Sequence, residues 1–194
     1  FNLIELIDLD SSISRFRISS IEPNLLSSKI IQLVKDSRKF LPHFHIPMQS
    51  GSDKILSLMK RKYNTSIYKN KINNIKSMIN DVCIGADVIV GFPGETENDF
   101  LETYNFIKNL EINYLHVFSY SNRDNAYASL SSNQIPNEVR LKRSRILQDL
   151  SNKMRRKFYK DNLGKVKKVL FESVYEDNYI VGFTDNYIRI YCKG

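Results

Sequence analysis

The sequence predicts an α/β protein: a parallel sheet or (β/α) barrel wall, followed by a small β module. Three observations carry this. Strand-like and helix-like stretches alternate four times between residues 15 and 120. Residues 84–90 are a near-continuous apolar run, as a parallel strand buried on both faces requires. After one long basic helix come three short strand-like runs with Asp-Asn turns between them. An open doubly wound sheet is the alternative for the first part.

In order, residues 2–9 form a short apolar helical segment. Residues 15–21, rich in β-branched and aromatic side chains, make the first strand. A helix follows over 24–39, with Leu25, Leu26, Ile30, Leu33 and Val34 on one side. The second strand is 43–48. Ser52 is placed to cap a helix carrying Ile55, Leu56, Leu58 and Met59, and Thr65 to cap one carrying Ile67, Ile72, Ile75 and Ile79. The third strand is 84–90. Thr96 and Asp99 have the spacing of a capping box, opening a helix with Phe100, Tyr104, Ile107 and Leu110. The fourth strand is 114–120, and 121–135 reads as loop. One helix spans 137–162, with Val139, Ile146, Leu147, Leu150, Met154 and Phe158 at helical spacing and Gly164 as its C-cap. Strands 166–174, 179–183 and 187–191 begin the β module. The domain boundaries are therefore 1–135, 136–163 and 164–194.

The chain has 194 residues and a net charge of +8. Residues 140–168 hold 12 basic side chains and two acidic ones, so this stretch is +10 and the remainder −2. Such a concentration is the footprint of a polyanionic partner, and it competes with the plainer reading of a solvated helix face. No apolar run reaches the length of a membrane span. A first residue of Phe and no signal-like segment read as a fragment or a trimmed chain. Cys83 and Cys192 form no CxxC pair and no zinc spacing; a reducing, cytoplasmic setting fits them, with Cys83 a buried thiol.

Each predicted strand ends in polar or glycine-bearing sequence: 19–23, 47–52, 91–96 and 118–121. In parallel barrels, functional groups gather at these ends. Glu22 and Glu95 are the acidic candidates there, weighed against ordinary helix N-terminal carboxylates. His43 and His45 share a strand face. A metal set would need further ligands, and only His116 and the cysteines remain, so packed or hydrogen-bonded histidines are expected. Asp87, inside an apolar strand, is expected to serve a buried hydrogen bond.

Three of these loops carry a resemblance. Arg17-Ile18-Ser19-Ser20-Ile21-Glu22-Pro23, then His45-Ile46-Pro47-Met48-Gln49-Ser50-Gly51-Ser52, then Asp87-Val88-Ile89-Val90-Gly91-Phe92-Pro93-Gly94-Glu95-Thr96 resemble the radical SAM methylthiotransferases in order and spacing. His116-Val117-Phe118-Ser119-Tyr120-Ser121, with Arg123 and Asn125, looks like the branch acting on threonylcarbamoyladenosine in tRNA. Residues 169–172 and 182–188 resemble the start of a TRAM domain, a small RNA-binding β barrel. One departure is Asp124-Asn125-Ala126-Tyr127-Ala128, where the family has Pro-Asn-Thr-Pro-Ala.

The resemblance implies the last four strands of a six-stranded (β/α) radical SAM barrel, then an incomplete TRAM domain. It implies S-adenosylmethionine and two 4Fe-4S clusters in the full-length enzyme, with neither cluster ligated by this chain and no metal or catalytic residue assigned within it. The implied reaction cleaves S-adenosylmethionine at a reduced cluster to a 5′-deoxyadenosyl radical. That radical abstracts hydrogen from carbon 2 of the modified adenine next to the anticodon, and a methylated sulfur is inserted. Ser20, Glu22, Gln49, Ser50, Gly91 and Glu95 are the expected cofactor-binding residues. Arg143, Arg155, Arg156, Lys157, Lys165, Lys167 and Lys168 are expected to hold the tRNA. No protein partner is implied. Two other readings stand beside this one: a ribosomal-protein aspartate methylthiotransferase of the same family, and a non-enzymatic RNA-binding module. The last leaves the polar strand-end loops unexplained.

Overall fold

The computed structural model describes residues 2–122, 133–176 and 178–193. The elements run α1 (Asn2–Leu9), β1 (Phe16–Ile18), α2 (Ser28–Asp36), β2 (Phe40–His45), α3 (Asp53–Leu58), α4 (Thr65–Met78), β3 (Cys83–Val90), α5 (Glu97–Lys108), β4 (Tyr114–Ser119), α6 (Asn137–Asp161), β5 (Val169–Glu176), β6 (Tyr179–Thr184) and β7 (Arg189–Lys193). Strands β1 to β4 form one parallel sheet in sequential order, and β5 to β7 a second, antiparallel sheet.

Sequential order decides between the two expected architectures. A doubly wound sheet reverses its strand order and carries helices on both faces. Here the order never reverses, so crossovers of one hand keep the helices on one face, as in a barrel wall. Phe44, Ile46, Ile84, Ala86, Val88, Val90 and Leu115 are buried on the helix side. Ile30, Ile31 and Val34 of α2, Ile72 and Ile75 of α4, Ile107 of α5 and Leu147 of α6 close over them in one core. The opposite, inner face carries polar and aromatic residues. On the outer side of β4, Ser151 of α6 accepts from the Leu115 amide at 2.8 Å and donates to its carbonyl at 3.2 Å.

Several boundaries differ from expectation for local reasons. β1 is three residues long, not seven. α2 starts at Ser28 because the Ser27 hydroxyl accepts from the Ile30 amide, and Leu25, expected on the apolar side, is exposed. β2 begins at Phe40 and ends at His45, since Pro47 has no N–H for the ladder. Asn64, not Thr65, caps α4. Ser52 makes no capping bond, and its hydroxyl goes instead to Asp99. The Thr96–Asp99 capping box is present. α6 ends on Asn162, with Gly164 left-handed beyond it, and Val166 is wholly exposed, so β5 starts at Val169. Residues 123–132, including Arg123, Asn125 and the departing stretch 124–128, lie outside the described residues.

Candidate functional site

Strand alternation sends Arg17, His43, His45, Asp87, Tyr114, His116 and Phe118 to the inner face of the parallel sheet. They line a cavity of about 580 Å³ whose other walls are Arg155 and Phe158 of α6 and Phe183, Tyr187 and Arg189 of the second sheet. Gly85 lies beneath Tyr114, and a Cβ there would meet the phenol ring at 2.2 Å, so the ring needs a glycine below it.

His43 and His45 do share this face, but they have different partners. His43 Nε2 lies 2.9 Å from the Tyr114 hydroxyl. Burial, reinforced by Arg17, pushes His43 down to about 3. His45 Nε2 instead meets Asp87 Oδ1 at 2.8 Å, and His116 Nδ1 approaches the same oxygen at 3.3 Å. Asp87 thus serves the hydrogen bond expected of it, to His45, with the His116 imidazole as a second neighbour. The Arg17 guanidinium lies over the Tyr187 ring at 4.0 Å, and Phe183 stacks on Tyr187 at 4.7 Å. Alternation in the sequence could have found Tyr114 as a wall residue. Tyr187 could not be found that way, because it arrives from the other sheet with a left-handed backbone.

The six rim residues fall into two groups. Backbone bonds keep the strand-end loops side by side: Ile21 N to His45 O at 3.1 Å, Gln49 N to Asp87 O at 2.8 Å, and Tyr120 N to Val90 O at 2.9 Å. Ser20 is exposed, and Glu22 is part-exposed with Arg61 at 3.4 Å. Gln49 has a left-handed backbone (φ 68°) and no side-chain hydrogen bond among the described residues. The other three are engaged inside the protein. Ser50 bonds Thr103 at 3.2 Å. The Gly91 amide donates to Glu95 Oε2 at 3.0 Å, and a Cβ on Gly91 (φ 72°) would strike the Arg140 side chain. Glu95 is 4% exposed and meets Arg143 Nη1 at 2.6 Å. Burial raises its carboxyl above the ordinary range, while Arg143 and the Gly91 amide oppose that rise.

The basic segment also divides. Arg143 is 5% exposed, its two guanidinium nitrogens bound to Glu95 and to Glu97 at 3.0 Å. It sits in the interior and not on the surface expected of it. Lys165 and Lys167 grip Asp81 at 2.6 and 3.1 Å, and the Lys165 hydrogen bond foremost holds that carboxyl below its usual range. Arg155, Arg156, Lys157 and Lys168 are exposed. Arg155 also lies 5.7 Å over Tyr114.

Of the rim groups only the Ser20 hydroxyl is open and the Glu22 carboxylate part-exposed beside Arg61, while Gln49 is buried; a hydroxyl for a polar edge and a carboxylate for an ammonium fit part of an S-adenosylmethionine site. Iron–sulfur clusters do not fit the residues present. Cys83 is buried, which pushes its thiol up to about 12, and Cys192 is exposed on the other sheet. Two such thiols supply no cluster site.

Comparison with known proteins adds the following. Residues 2–107 match the Radical SAM superfamily. A threonylcarbamoyladenosine tRNA methylthiotransferase of Bacillus subtilis is 38% identical over 94% of this chain and 41% of its own length. Its counterpart in Aquifex aeolicus is 40% identical over 99% and 45%. A tRNA-2-methylthio-N(6)-dimethylallyladenosine synthase of Lachnoclostridium phytofermentans is 36% identical over 99% and 42%. The chain therefore spans less than half the length of these relatives. Among solved structures, coproporphyrinogen III oxidase from Escherichia coli, described as a radical SAM enzyme, superposes with a TM-score of 0.60 at 15% identity, over 71% of this chain and 32% of that one. No helix among the described residues is long and apolar enough to cross a membrane.

Proposed function

The chain belongs to the radical SAM superfamily, and from that premise we propose that it is part of a tRNA methylthiotransferase acting at carbon 2 of threonylcarbamoyladenosine next to the anticodon. The observation that carries this reading is 38–40% identity to two such enzymes across 94–99% of the chain. The exposed Arg and Lys side chains of α6 support an RNA partner, since they can neutralise phosphates without base preference. The second sheet is read as the start of the RNA-binding TRAM domain.

S-adenosylmethionine, when bound, would supply the radical that activates the carbon–hydrogen bond. This chain's residues bind and position. Glu22, with its part-exposed carboxylate, would hold a cationic ammonium, and Ser20 and Gln49 would meet polar groups beside it. Ser50, Gly91 and Glu95 act one step back, by fixing the loops that form the rim. Arg155, Arg156, Lys157 and Lys168 would face the tRNA backbone. Lys165 and Lys167 share their charge with Asp81, so they would contribute less.

The dimethylallyladenosine enzymes, at 36% identity, favour one second reading: methylthiolation of that nucleoside instead. A single experiment separates the two. The complete gene is expressed in a bacterial host lacking both activities, and digested tRNA is analysed by nucleoside mass spectrometry. The expected result is a methylthio derivative of threonylcarbamoyladenosine. Modification of dimethylallyladenosine alone would establish the second reading, and unmodified tRNA would reject both.

A further inference from the structure

We propose that His45, Asp87 and His116 form a binding site for a divalent first-row transition-metal ion, of which Zn²⁺ is the commonest occupant of such a donor set. The proposal does not rest on the tRNA reading.

The first argument is convergence. One ligand atom from each residue lies within 4.8 Å of the other two. Asp87 Oδ1 is 2.8 Å from His45 Nε2 and 3.3 Å from His116 Nδ1. Metal–ligand bonds of about 2.0–2.2 Å in a tetrahedron put donor atoms roughly 3.3–3.6 Å apart. The three donors thus need adjustments of about an ångström, within reach of side-chain torsions alone.

The second argument is rigidity of the frame. The residues stand on three neighbouring parallel strands, and Asp87 pairs directly with His116 in the ladder, while His45 pairs with Gly85 two residues before Asp87. Sites built on strands hold their donors more tightly than sites on loops.

Access is the third. His45 is buried, Asp87 partly buried, and the His116 side chain is 53% exposed toward the cavity. An ion can enter from that side, and its remaining positions face space where water or another oxygen ligand fits. Two imidazoles and one carboxylate with open positions suit zinc, cobalt or ferrous iron better than calcium or magnesium, which prefer oxygen donors throughout. Arg17, Arg155 and Arg189 line the same cavity, and their charge opposes the ion and weakens its binding. Exchangeable binding that a chelator reverses is therefore expected, not a permanent structural ion.

The probe is Co²⁺, titrated into the chelator-treated chain at neutral pH. One equivalent is expected, with visible d–d absorption, no near-ultraviolet thiolate band, and displacement by Zn²⁺. His116→Gln, at a half-exposed position, should fold normally by circular dichroism and weaken binding by at least about ten-fold, as even outer-shell changes do. Asp87→Asn should do the same, and Cys192→Ser should leave binding unchanged. Three results would overturn the proposal: no saturable binding, which leaves a hydrogen-bonded triad only; unaltered affinity in His116→Gln; or a thiolate band that Cys192→Ser removes. None of these bears on tRNA modification, so the two readings fail separately.

Discussion

Asp99 shows how much one short side chain can hold. As the third residue of α5 it accepts from the Thr96 amide at 2.8 Å, the Thr96 hydroxyl at 2.6 Å and Lys54 Nζ at 2.7 Å, while its other oxygen takes the Ser52 hydroxyl at 3.2 Å. Burial pushes its carboxyl up, but the hydrogen bonds from Lys54 and Thr96 outweigh that and leave it at about 2. A folded-state value below the ordinary one means stability that is full above about pH 4 and is lost as pH falls toward 2. That contribution is about 2 kcal/mol at most, because Lys54 is half in water. Asp99→Asn should lower the melting temperature by roughly 4–8 °C near neutrality, and the difference should vanish near pH 2; equal losses at both pH values would refute the assignment. The Thr96–Asp99 pair was legible in the sequence because its parts are three residues apart. The joining of His45, Asp87 and His116 was not, because strand register unites residues separated by 42 and 29 positions.

The long helix α6 is where linear charge misled most. Its 25 residues were legible as a helix from the spacing of Leu147, Leu150 and Phe158, all buried as expected. Its cations looked alike in the sequence, yet they divide between an interior clamp at Arg143 and a solvent face at Arg155, Arg156 and Lys157. Burial depends on what packs above the helix, here the loop after β3, and no count of Lys and Arg reports that. The solvent face is the one to test with RNA. Arg156→Glu with Lys157→Glu should weaken tRNA binding and reduce the slope of log affinity against log salt by roughly 1.5, one phosphate contact each. Lys35→Glu with Lys69→Glu, exposed on α2 and α4, should leave the slope near its original value. Filter binding at several salt concentrations gives both slopes, and equal changes would reduce α6 to a solvated face.

Across the whole molecule, a parallel sheet followed from the alternation of segments, whereas its strand order and the docking of the second sheet did not. That docking centres on Asn186, which is fully buried. Its side-chain amide donates to the Asp81 carbonyl at 3.1 Å and to Asn162 Oδ1 at 2.9 Å, and its oxygen accepts from Thr184 at 2.8 Å. In the sequence Asn186 read only as a turn residue, since turn chemistry and a long-range latch use the same amide. Asn186→Ala leaves buried partners unmatched and should loosen the second sheet by on the order of 2–3 kcal/mol. Amide hydrogen exchange should then quicken in β5 to β7 while β2 and β3 keep their protection. Uniform quickening, or none, would mean the sheet is held by other contacts.

The Arg143 clamp has one more consequence, in thermodynamic linkage. Its guanidinium ties the loop after β3 to α6, so the two cannot be ordered independently. Anything that binds the rim and quiets that loop also quiets the helix, and a polyanion resting on the helix returns the favour by the same factor. If the rim takes a cofactor and α6 an RNA, the two affinities would be linked in part through this clamp, with Arg140 packed on Gly91 as a second tie between the same loop and helix.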